Sequence, residues 1–538
     1  MDPSLSAQKM MKQLGLKCSR ANVQKIYARW NLSSYTKPIA IRGVISTPEV
    51  TFDRTAVSSQ CSARSRFPDL IETAGLKINR GFVDLLHHLR HHRVPVSNPG
   101  AIIMAPFLDQ LGIVEALHTY GPATYRNTEI TNNIIVNVLR IIVGYATIHD
   151  FTLNSDRSVA IGAGFVGNPR RSRFYECFDE LRFSHLQKLR TDASRRAKEL
   201  SIIDGKEIAI DYHCDPSDSR YPHDKSLSKA PDKNGDLVYA HRPQIVWDSV
   251  TNSIINIAYC EGRSRAPSAL YQFCEENLFK IIDPQAIDEI YTDSEYTGEK
   301  QVVYLVTRSD TDVTMCLKQN KKIKRWKEET LTTAPWQPYG EKYRLASKDY
   351  TLAESGKGFR FVVKQNVETN EIRCFGSTHV DYSPEKILDC YHIRWTAESG
   401  LKDLVDNYFL DKPTGTSAEK VETHYYCVMV ARQAIDYFLS VFGEASWQTP
   451  EEWECVLSTI RTTIFANQNC ELTVSEKGNL LLTYLDGDPL GIKKHLKSML
   501  EKRLAINLNR VSWWGNIGVQ INIVDKFDLG SGSQNRNV

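Results

Sequence analysis

The sequence predicts a mixed α/β protein, in which an α/β core contains a β-rich insertion and is flanked by helical N- and C-terminal regions. Three observations support this prediction. Helical apolar periodicity dominates to about residue 200, short β-type apolar runs begin at Glu207, and a long helical pattern begins after Ser383. A chain of 538 residues is too long for one ordinary domain. At about 150 residues per domain, three or four units are expected.

The first two hundred residues are expected to be mostly helical. Two short helical patterns cover 7–15 and 20–30, and Ser19 stands at the N-cap position of the second, which predicts a helix-turn-helix. Residues 43–66 are rich in Ser, Thr and Arg, as is typical of a linker. Helical patterns continue from about 80 to 200, and the most apolar one, ITNNIIVNVLRIIVGYATI, is expected to lie in the core.

The region after Glu207 has the periodicity of strands. EIAID predicts a short strand that ends at Asp211, and QIVWDSV and SIINIAYCEG predict two more, joined at Thr251 and Asn252. APSALYQFCEENLFKII predicts a helix, and AIDEIYTD predicts a strand that ends at Asp293. The order β-β-β-α-β is that of an RNase H-like core.

The second half of the chain is predicted to begin with strands and to continue with helices. The strand patterns between 302 and 380 are QVVYLVT, VTMCLKQN, KYRLAS, GFRFVVKQN and EIRCFGSTHV. Ser383 as N-cap and Pro384 at the first helical position begin a long helix to about Tyr408, and further helices are expected to about residue 505. The tail DLGSGSQNRNV is expected to be disordered. The predicted units are 1–65 (N-terminal helices and linker), 66–200 (helical), 201–301 (first part of the core), 302–380 (β-strand insertion), 381–445 (second part of the core) and 446–538 (helical, with the tail).

Charge and cysteine content narrow the class of protein. The formal net charge is only +3, but basic residues cluster: residues 169–198 hold nine Arg and Lys against four acids, and residues 318–327 hold six and no acid. Such clusters can follow a phosphate backbone, although each alone is also typical of a solvated surface. The twelve cysteines include no CxxC, which argues against a zinc ribbon or a disulfide framework and favours a reducing compartment.

Neither a membrane nor a secretory location is expected. The sequence has no run of about 18 apolar residues, and its start, MDPSLSAQKMMKQLG, lacks an apolar core and a cleavage site. A cytoplasmic location, at a prokaryotic nucleoid for a protein that acts on DNA, is therefore expected.

Two acids at strand ends point to metal-dependent chemistry. Asp211 and Asp293 each follow an apolar run, and an acid buried beside such strands is unfavourable unless it is paired or binds a cation. Carboxylates that converge from different elements are the hard oxygen ligands that a two-metal phosphoryl-transfer site requires. Taken singly, however, each aspartate is also typical of a turn or cap residue.

A row of polar residues on the predicted long helix strengthens this interpretation. Tyr391, Arg394, Glu398 and Lys402 are spaced by 3, 4 and 4, which places them on one narrow helical face. A phenol, a guanidinium, a carboxylate and an ammonium in one row suit phosphate and metal. The alternative is an exposed helix whose charges form ion pairs at four-residue spacing.

At these residues the sequence resembles a known family. YHIRWTAE resembles the Y-x2-R-x3-E signature of the cut-and-paste insertion-sequence transposases with a β-strand insertion, the insertion-sequence-four superfamily, and EIAIDYHCDP and YTDSEYTGE resemble its two Asp motifs. The resemblance covers roughly residues 200–440 and implies a DDE transposase. By position, it implies that Asp211, Asp293 and Glu398 are catalytic metal ligands and that Tyr391 and Arg394 contact DNA.

The sequence departs from the family pattern at one position. The signature continues with a lysine seven residues after the glutamate, where this chain has Val405. Lys402, one turn nearer Glu398, is assigned to DNA binding in its place. The resemblance also allows Trp326 to stack on a base flipped from the DNA end, although a core or surface aromatic of a small sheet is an equal alternative for Trp326 and Trp336.

The implied activity is cleavage at the element ends and strand transfer into target DNA. Two Mg²⁺ ions are expected, with Mn²⁺ as a substitute, and the resemblance implies a hairpin on the flanking strand. The expected partners are double-stranded DNA, as terminal inverted repeats and target, and a second copy of the chain in the DNA complex, with end recognition by the N-terminal helices. The alternatives are a domesticated, non-catalytic DNA-binding protein and an RNase H-like nuclease without strand transfer. A zinc site at His87, His88, His91 and His92 is disfavoured, because no further ligand stands nearby.

Overall fold

The computed structural model describes residues 80–123, 127–216, 227–231, 237–259, 266–296, 299–415, 417–444, 457–488 and 490–524. Internal contacts divide the chain into residues 1–65 and 66–538, and every described residue belongs to the second unit. The predicted helix-turn-helix at 7–30 and the tail that was predicted to be disordered lie outside the described residues.

Between residues 80 and 200 the described chain is helical apart from one short strand. Its elements are α1 (Arg80–Leu89), β1 (Val94–Val96), α2 (Gly100–Gln110), α3 (Ile113–Tyr120), α4 (Asn127–Val143), α5 (Ile148–Asn154), α6 (Ser158–Gly162), α7 (Arg171–Asp179) and α8 (Phe183–Glu199). Helix α4 carries most of the apolar segment ITNNIIVNVLRIIVGYATI and packs against α2, α3 and α7. Its apolar side chains, such as Ile134, Val138 and Ile142, are fully buried because other helices surround it.

No single described helix is both long and apolar enough to cross a membrane. Two bent pairs reach the required length and composition only together, α2 with α3 at 58° and α4 with α5 at 81°.

The core of the protein is a sheet with the RNase H-like strand order. Residues 207–317 form β2 (Glu207–Tyr212), β3 (Asp215–Pro216), β4 (Ser228–Pro231), β5 (Leu237–His241), β6 (Gln244–Asp248), β7 (Ser253–Ala258), α9 (Ala266–Phe273), β8 (Glu289–Thr292), α10 (Glu299–Ser309) and β9 (Asp312–Leu317). The spatial order is β7-β6-β2-β8-β9, with β2, β8 and β9 parallel and β6 antiparallel to both of its neighbours. The predicted fold class is confirmed. Strands β3, β5 and β4 form a separate small sheet.

The β-rich insertion extends this sheet and does not form a separate one. It consists of α11 (Lys321–Thr333), β10 (Gln337–Tyr339), β11 (Tyr343–Thr351), β12 (Gly358–Asn366) and β13 (Ile372–Ser377). Strand β13 pairs antiparallel with β9, and the nine strands run in the order β10-β11-β12-β13-β9-β8-β2-β6-β7. The insertion is therefore joined by backbone hydrogen bonds to the strands that carry the predicted acids.

Two segments of this region differ from the strand prediction. QVVYLVT lies in helix α10, where the buried residues Val302, Leu305, Val306 and Ser309 recur at three- and four-residue spacing. That is the period of a helix with one face in the core, and a short apolar run can fit either period. The basic run KKIKRWK lies in helix α11.

Three helices connect the extended sheet to the rest of the molecule. They are α12 (Pro384–Ile393), α13 (Trp395–Tyr408) and α14 (Ala418–Glu444). Helix α13 packs against β2 and β6, and α14 packs against β7, α4 and α8. The core sheet and the helices between residues 80 and 200 therefore share one hydrophobic core.

The C-terminal region contains strands as well as the predicted helices. Its elements are α15 (Leu457–Ile460), β14 (Cys470–Val474), β15 (Leu480–Tyr484), α16 (Ile492–Ala505), β16 (Arg510–Val511) and β17 (Ile517–Ile523). The four strands of this region and β1 form a five-stranded sheet in the order β1-β14-β15-β17-β16. The expectation of helices alone to residue 505 is wrong here, because CELTV and LLLTY bury alternate side chains as strands do.

Candidate active site

Asp211 and Asp293 lie at the same edge of the core sheet. Strands β2 and β8 are parallel neighbours, and Ile210 stands opposite Thr292, so that Asp211 and Asp293 are the next residues on each strand. Asp211 is 8% exposed, and its Oδ1 accepts a hydrogen bond of 2.8 Å from the backbone N–H of Tyr212. The parallel strand ends therefore place these two aspartates close enough for their charges to interact.

Glu398 approaches this edge from a helix that begins beside it. The predicted helix from Pro384 to Tyr408 is interrupted at Arg394, which ends α12 and caps α13. The hydroxyl of Thr396 donates to the carbonyl of Ile393. The N–H of Ala397, which in a continuous α-helix would donate to that same carbonyl, donates to the carbonyl of Arg394. The prediction that the four residues lie on one continuous helix is therefore wrong. Arg394 lies at the junction of the two helices, and Glu398 lies in the first turn of α13.

Arg394 connects the helix to the sheet edge. Its Nη1 donates to Oδ2 of Asp211 at 2.9 Å, and its Nη2 donates to Oε1 of Glu398. The guanidinium carbon lies 5.2 Å from the ring centroid of Tyr391, and the arginine is 5% exposed. A buried cation thus lies between two of the three predicted metal ligands.

The electrostatics of Asp211 reflect these neighbours. Burial is the largest influence and raises the pKa of Asp211 to about 7. The Arg394 guanidinium lowers that pKa, whereas Asp293 and Glu398 raise it further. The two other acids are thus close enough to repel the ionised form, and a cation at this edge would relieve the repulsion.

The three acids do not chelate a common point in this arrangement. Within the described ranges, no group of three or more His, Cys, Asp or Glu side chains lies close enough together to hold a metal ion. Arg394 accounts for the separation of Asp211 from Glu398, since its guanidinium is bonded to both. The Nε of Arg394 is buried and makes no hydrogen bond to any described group.

A pocket of about 690 Å³ opens beside these residues. Asp293, Tyr391, Arg394 and Glu398 line one side of it, together with Trp395, which is 55% exposed. Sequence reasoning singled out the first four and missed Trp395. The signal was its position directly after Arg394, in the first turn of α13, where the core cannot cover it.

The opposite wall of the pocket is basic and comes from the extended sheet. It includes Lys318 after β9, Lys364 on β12 and Arg373 on β13. Lys364 and Arg373 stand directly opposite each other in the antiparallel register. Burial, followed by the charge of Arg373, lowers the pKa of Lys364. Facing like charges are unfavourable in a sheet; Glu371, which also lines the pocket, offsets part of this repulsion by pairing with Arg373 at 2.9 Å, and an anion in the pocket would offset more.

Trp326 is placed in a hydrophobic core, which corrects its assignment to DNA binding. It is 5% exposed, and its ring stacks on Tyr350 at 4.3 Å and packs against Phe359 and Phe361. The Nζ of Lys322 lies 4.6 Å from the ring centroid. The indole has no free face for a base, because α11 uses it to pack on the extended sheet.

Lys402, Val405 and the histidines in and after α1 do not line the pocket. Lys402 is exposed on α13, one turn after Glu398, and is not among the residues that line the pocket. Val405 is partly buried against the main core. The rings of His88 and His92 stack at 4.3 Å in and after α1, and among the described residues no histidine group suited to a metal occurs there.

The chain is similar to known transposases over part of its length. Residues 195–432 match the family model described as the transposase DDE domain. No curated protein matches the chain. A cryo-EM structure of piggyBac transposase in a synaptic complex with hairpin DNA is similar over 77% of this chain and 84% of that chain, with 13% identity and a TM-score of 0.41. The matched segment, residues 195–432, includes Asp211, Asp293 and Glu398, and the match supports a transposase DDE domain in this part of the chain.

Proposed function

We propose that this protein is a DNA transposase that cuts at the ends of its element and joins them to target DNA, in cut-and-paste transposition. The observation that carries the proposal is that Arg394 bonds to both Asp211 and Glu398, while Asp293, Arg394 and Glu398 line a pocket that also has basic residues in its wall. The domain family supports transposition in general. The site residues and the cutting scheme are the specific content of the proposal.

The acids fit a pair of divalent cations. Asp211, Asp293 and Glu398 would hold two Mg²⁺, or Mn²⁺ in their place, because carboxylate oxygens are the ligands that these hard ions prefer. When bound, such ions polarise the phosphodiester and stabilise the charge that develops during displacement. Arg394 supports the fit, since a cation already lies between two of these carboxylates.

The residues around the acids would hold the DNA. Lys318, Lys364 and Arg373 suit the phosphates of the strand that enters the pocket, and Tyr391 and Arg394 suit the phosphate at the cut. In the first step a water attacks the phosphodiester at the element end and frees a 3′-hydroxyl. In the second, that hydroxyl attacks a target phosphodiester and displaces a target 3′-oxygen.

Arg394 must release at least one carboxylate before this chemistry. Its guanidinium is hydrogen bonded to Oδ2 of Asp211 and to Oε1 of Glu398, and these carboxylate oxygens are the atoms that would ligate the metal. A DNA phosphate is a suitable alternative partner for a guanidinium, because the two form charge-assisted hydrogen bonds. DNA binding would therefore favour metal binding, which fits an enzyme that is inactive without its substrate.

The partners follow from the reaction. The substrates are double-stranded DNA with terminal inverted repeats and a target duplex. Two element ends must be cut and residues 195–432 match one such domain, so two copies of the chain would supply one active site for each end. We therefore propose a homodimer in the DNA complex.

A strand-transfer assay tests the proposal against its two alternatives. The full chain is incubated with Mg²⁺, a labelled duplex that carries the inverted repeat found beside the gene, and a supercoiled plasmid. A transposase joins the label to the plasmid, and an RNase H-like nuclease cuts the duplex without joining it. A domesticated DNA-binding protein only shifts its mobility. Absence of both cutting and joining would refute the proposal.

Active-site variants complete this assay. Asp211→Ala, Asp293→Ala and Glu398→Ala should each abolish cutting and leave end binding largely intact, because affinity comes mainly from contacts of Lys and Arg with phosphates. Glu328→Ala, an exposed acid on α11, is the matched control. Robust cutting by Glu398→Ala would remove α13 from the site.

A further inference from the structure

Helix α13 lies against the core sheet at a glycine. Gly400 is buried in the interior of the helix, where glycine is less favourable than alanine. A Cβ at this position would lie 2.1 Å from Cζ2 and 2.3 Å from Cη2 of Trp247. By contrast, a Cβ at Gly443, on α14, would meet no atom within 4 Å. The close approach of helix to sheet is therefore what requires glycine at position 400.

Trp247 cannot move away from this contact easily. It is fully buried on β6, and its Nε1 donates to Oδ1 of Asn252 at 3.0 Å. The guanidinium of Arg432 lies 5.4 Å from the Trp247 ring centroid. Arg432 is itself held by Asp436, at 2.8 Å, and by Asp403 of α13. The indole is thus fixed between the helix and a network of ion pairs.

The same contact lies on the face of the sheet that carries the first acid. In the register of β2 with β6, Ala209 pairs with Trp247 and Asp211 pairs with Ile245. Side chains alternate along a strand, so Trp247 and Asp211 point to the same face. The depth at which α13 rests on Trp247 therefore sets how far Glu398, two residues earlier, stands from Asp211.

We propose that Gly400 and Trp247 are positioning residues, whose contact sets how closely Glu398 can approach Asp211 once Arg394 releases them to a divalent metal; this inference rests on the proposed function. A Cβ on residue 400 would push α13 away from the sheet by at least about 1.3 Å, from 2.1 Å to the 3.4 Å at which ordinary contact begins. A misplacement of about 1 Å in a catalytic group can reduce a rate roughly a hundredfold. Neither residue lines the pocket, and the basic residues of its wall belong to other elements, so DNA affinity should depend little on the contact.

The test uses the full chain with four variants. They are Gly400→Ala, Trp247→Phe, the double variant, and Gly443→Ala as the matched glycine control. Cleavage of the end duplex is measured against Mg²⁺ concentration, DNA affinity by mobility shift, Mn²⁺ binding by electron paramagnetic resonance, and thermal unfolding by circular dichroism.

Gly400→Ala should lower the maximal rate about a hundredfold and raise the half-saturating Mg²⁺ about tenfold, with DNA affinity unchanged. Trp247→Phe shortens the aromatic side chain, so the double variant should recover at least tenfold of the rate that Gly400→Ala loses. Trp247→Phe alone should also weaken Mn²⁺ binding, because helix α13 loses its contact with the indole ring. This variant tests the inference even if Gly400→Ala fails to fold. Gly443→Ala should behave as wild type.

Two results would overturn the inference. One is a wild-type metal dependence in both Gly400→Ala and Trp247→Phe. The other is a rate loss in Gly400→Ala that disappears when it is corrected for the folded fraction, with no recovery in the double variant. A wild-type chain that neither cuts nor joins DNA would refute the proposed function instead. In that case unchanged Mn²⁺ binding by Gly400→Ala would refute the positioning role separately.

Discussion

Arg394 donates from Nη1 to Oδ2 of Asp211 at 2.9 Å, and through Nη2 it also pairs with Glu398. The guanidinium is therefore a competitor for any metal that these two carboxylates would hold. Because Asp211 and Arg394 are both buried, the bond between them is protected from solvent screening. The exposed carboxylate of Glu398 contributes less, since its side chain is 52% exposed.

Replacing Arg394 by glutamine should make metal binding tighter and the metal-free protein less stable. Loss of one partner from a buried ion pair costs roughly 3 kcal/mol, so thermal unfolding without metal should begin at a lower temperature. Mn²⁺ affinity, measured by electron paramagnetic resonance, should rise about tenfold, which corresponds to about 1.4 kcal/mol. Arg373→Gln is the matched control, because it removes a pocket cation that bonds neither Asp211 nor Glu398. Equal Mn²⁺ affinities in the three proteins would contradict direct competition.

The strand-end acids could be predicted from sequence because their signals are local. EIAID and AIDEIYTD are apolar runs that end in an aspartate, and parallel pairing brings such ends together. The spacing from Tyr391 to Glu398 likewise predicted a polar helix face. The break at Arg394 could not be predicted, since it depends on which carbonyl the Thr396 hydroxyl reaches in the folded chain.

Other features of the site depend on contacts between distant residues. The basic run around Trp326 suggested a surface, but Ile323, Trp326 and Thr330 form a buried stripe at three- and four-residue spacing, a signal that the charges obscured. The importance of Gly400 requires knowledge of Trp247, which is more than 150 residues earlier in the chain. The pairing of Lys364 with Arg373 requires the strand register.

The basic wall of the pocket should contribute to DNA affinity in a salt-dependent way. Replacing Lys318, Lys364 and Arg373 together by alanine should weaken binding of the end duplex and of unrelated duplex alike, because phosphates carry no sequence information. Each lost phosphate contact reduces the slope of log K against log salt by about 0.9, so the triple variant should lose up to roughly 2.7. Fluorescence anisotropy over a range of NaCl concentrations measures this slope. Lys342→Ala, an exposed lysine 3.9 Å from Glu368, is the control. A triple variant with the wild-type slope would show that this wall does not contact DNA.

The stability of the protein should fall in mild acid because of His424. This histidine of α14 is fully buried, and its Nε2 hydrogen bonds with the carbonyl of Phe409 at 2.8 Å. Burial, followed by the charge of Arg140, lowers the pKa of His424 to about 3, from an ordinary value of 6.5. In the unfolded chain His424 is therefore protonated below about pH 6.5, whereas in the folded protein it stays neutral down to about pH 3.

The sign of the pH effect follows from this linkage. The contribution of neutral His424 to stability is full above pH 6.5 and is lost as the pH falls towards 3, by roughly 5 kcal/mol in total. His424→Gln should give a flatter dependence of the free energy of unfolding on pH between 4 and 6.5, measured by urea denaturation. His495→Gln is the control, because His495 makes a similar bond of 2.9 Å to Phe442 but is partly exposed. Equal slopes for wild type and His424→Gln would show that other groups govern acid unfolding.

The last prediction concerns the position at which the family signature expects a lysine. Val405 occupies that position and is partly buried against the main core, so its side chain cannot reach a phosphate. Lys402 is exposed one turn nearer Glu398 and can hold a phosphate of the cleaved strand as a compact point charge. Lys402→Ala should therefore slow cleavage about tenfold to a hundredfold, which corresponds to roughly 1.4–2.8 kcal/mol in the transition state. Val405→Ala should leave the chemistry almost unchanged. The alternative is that Lys402 only forms an exposed ion pair with Asp406, which would contribute little. A cleavage assay at constant salt separates the two, since a wild-type rate from Lys402→Ala, with unchanged thermal stability, would leave the fourth position of the signature without a residue in this protein.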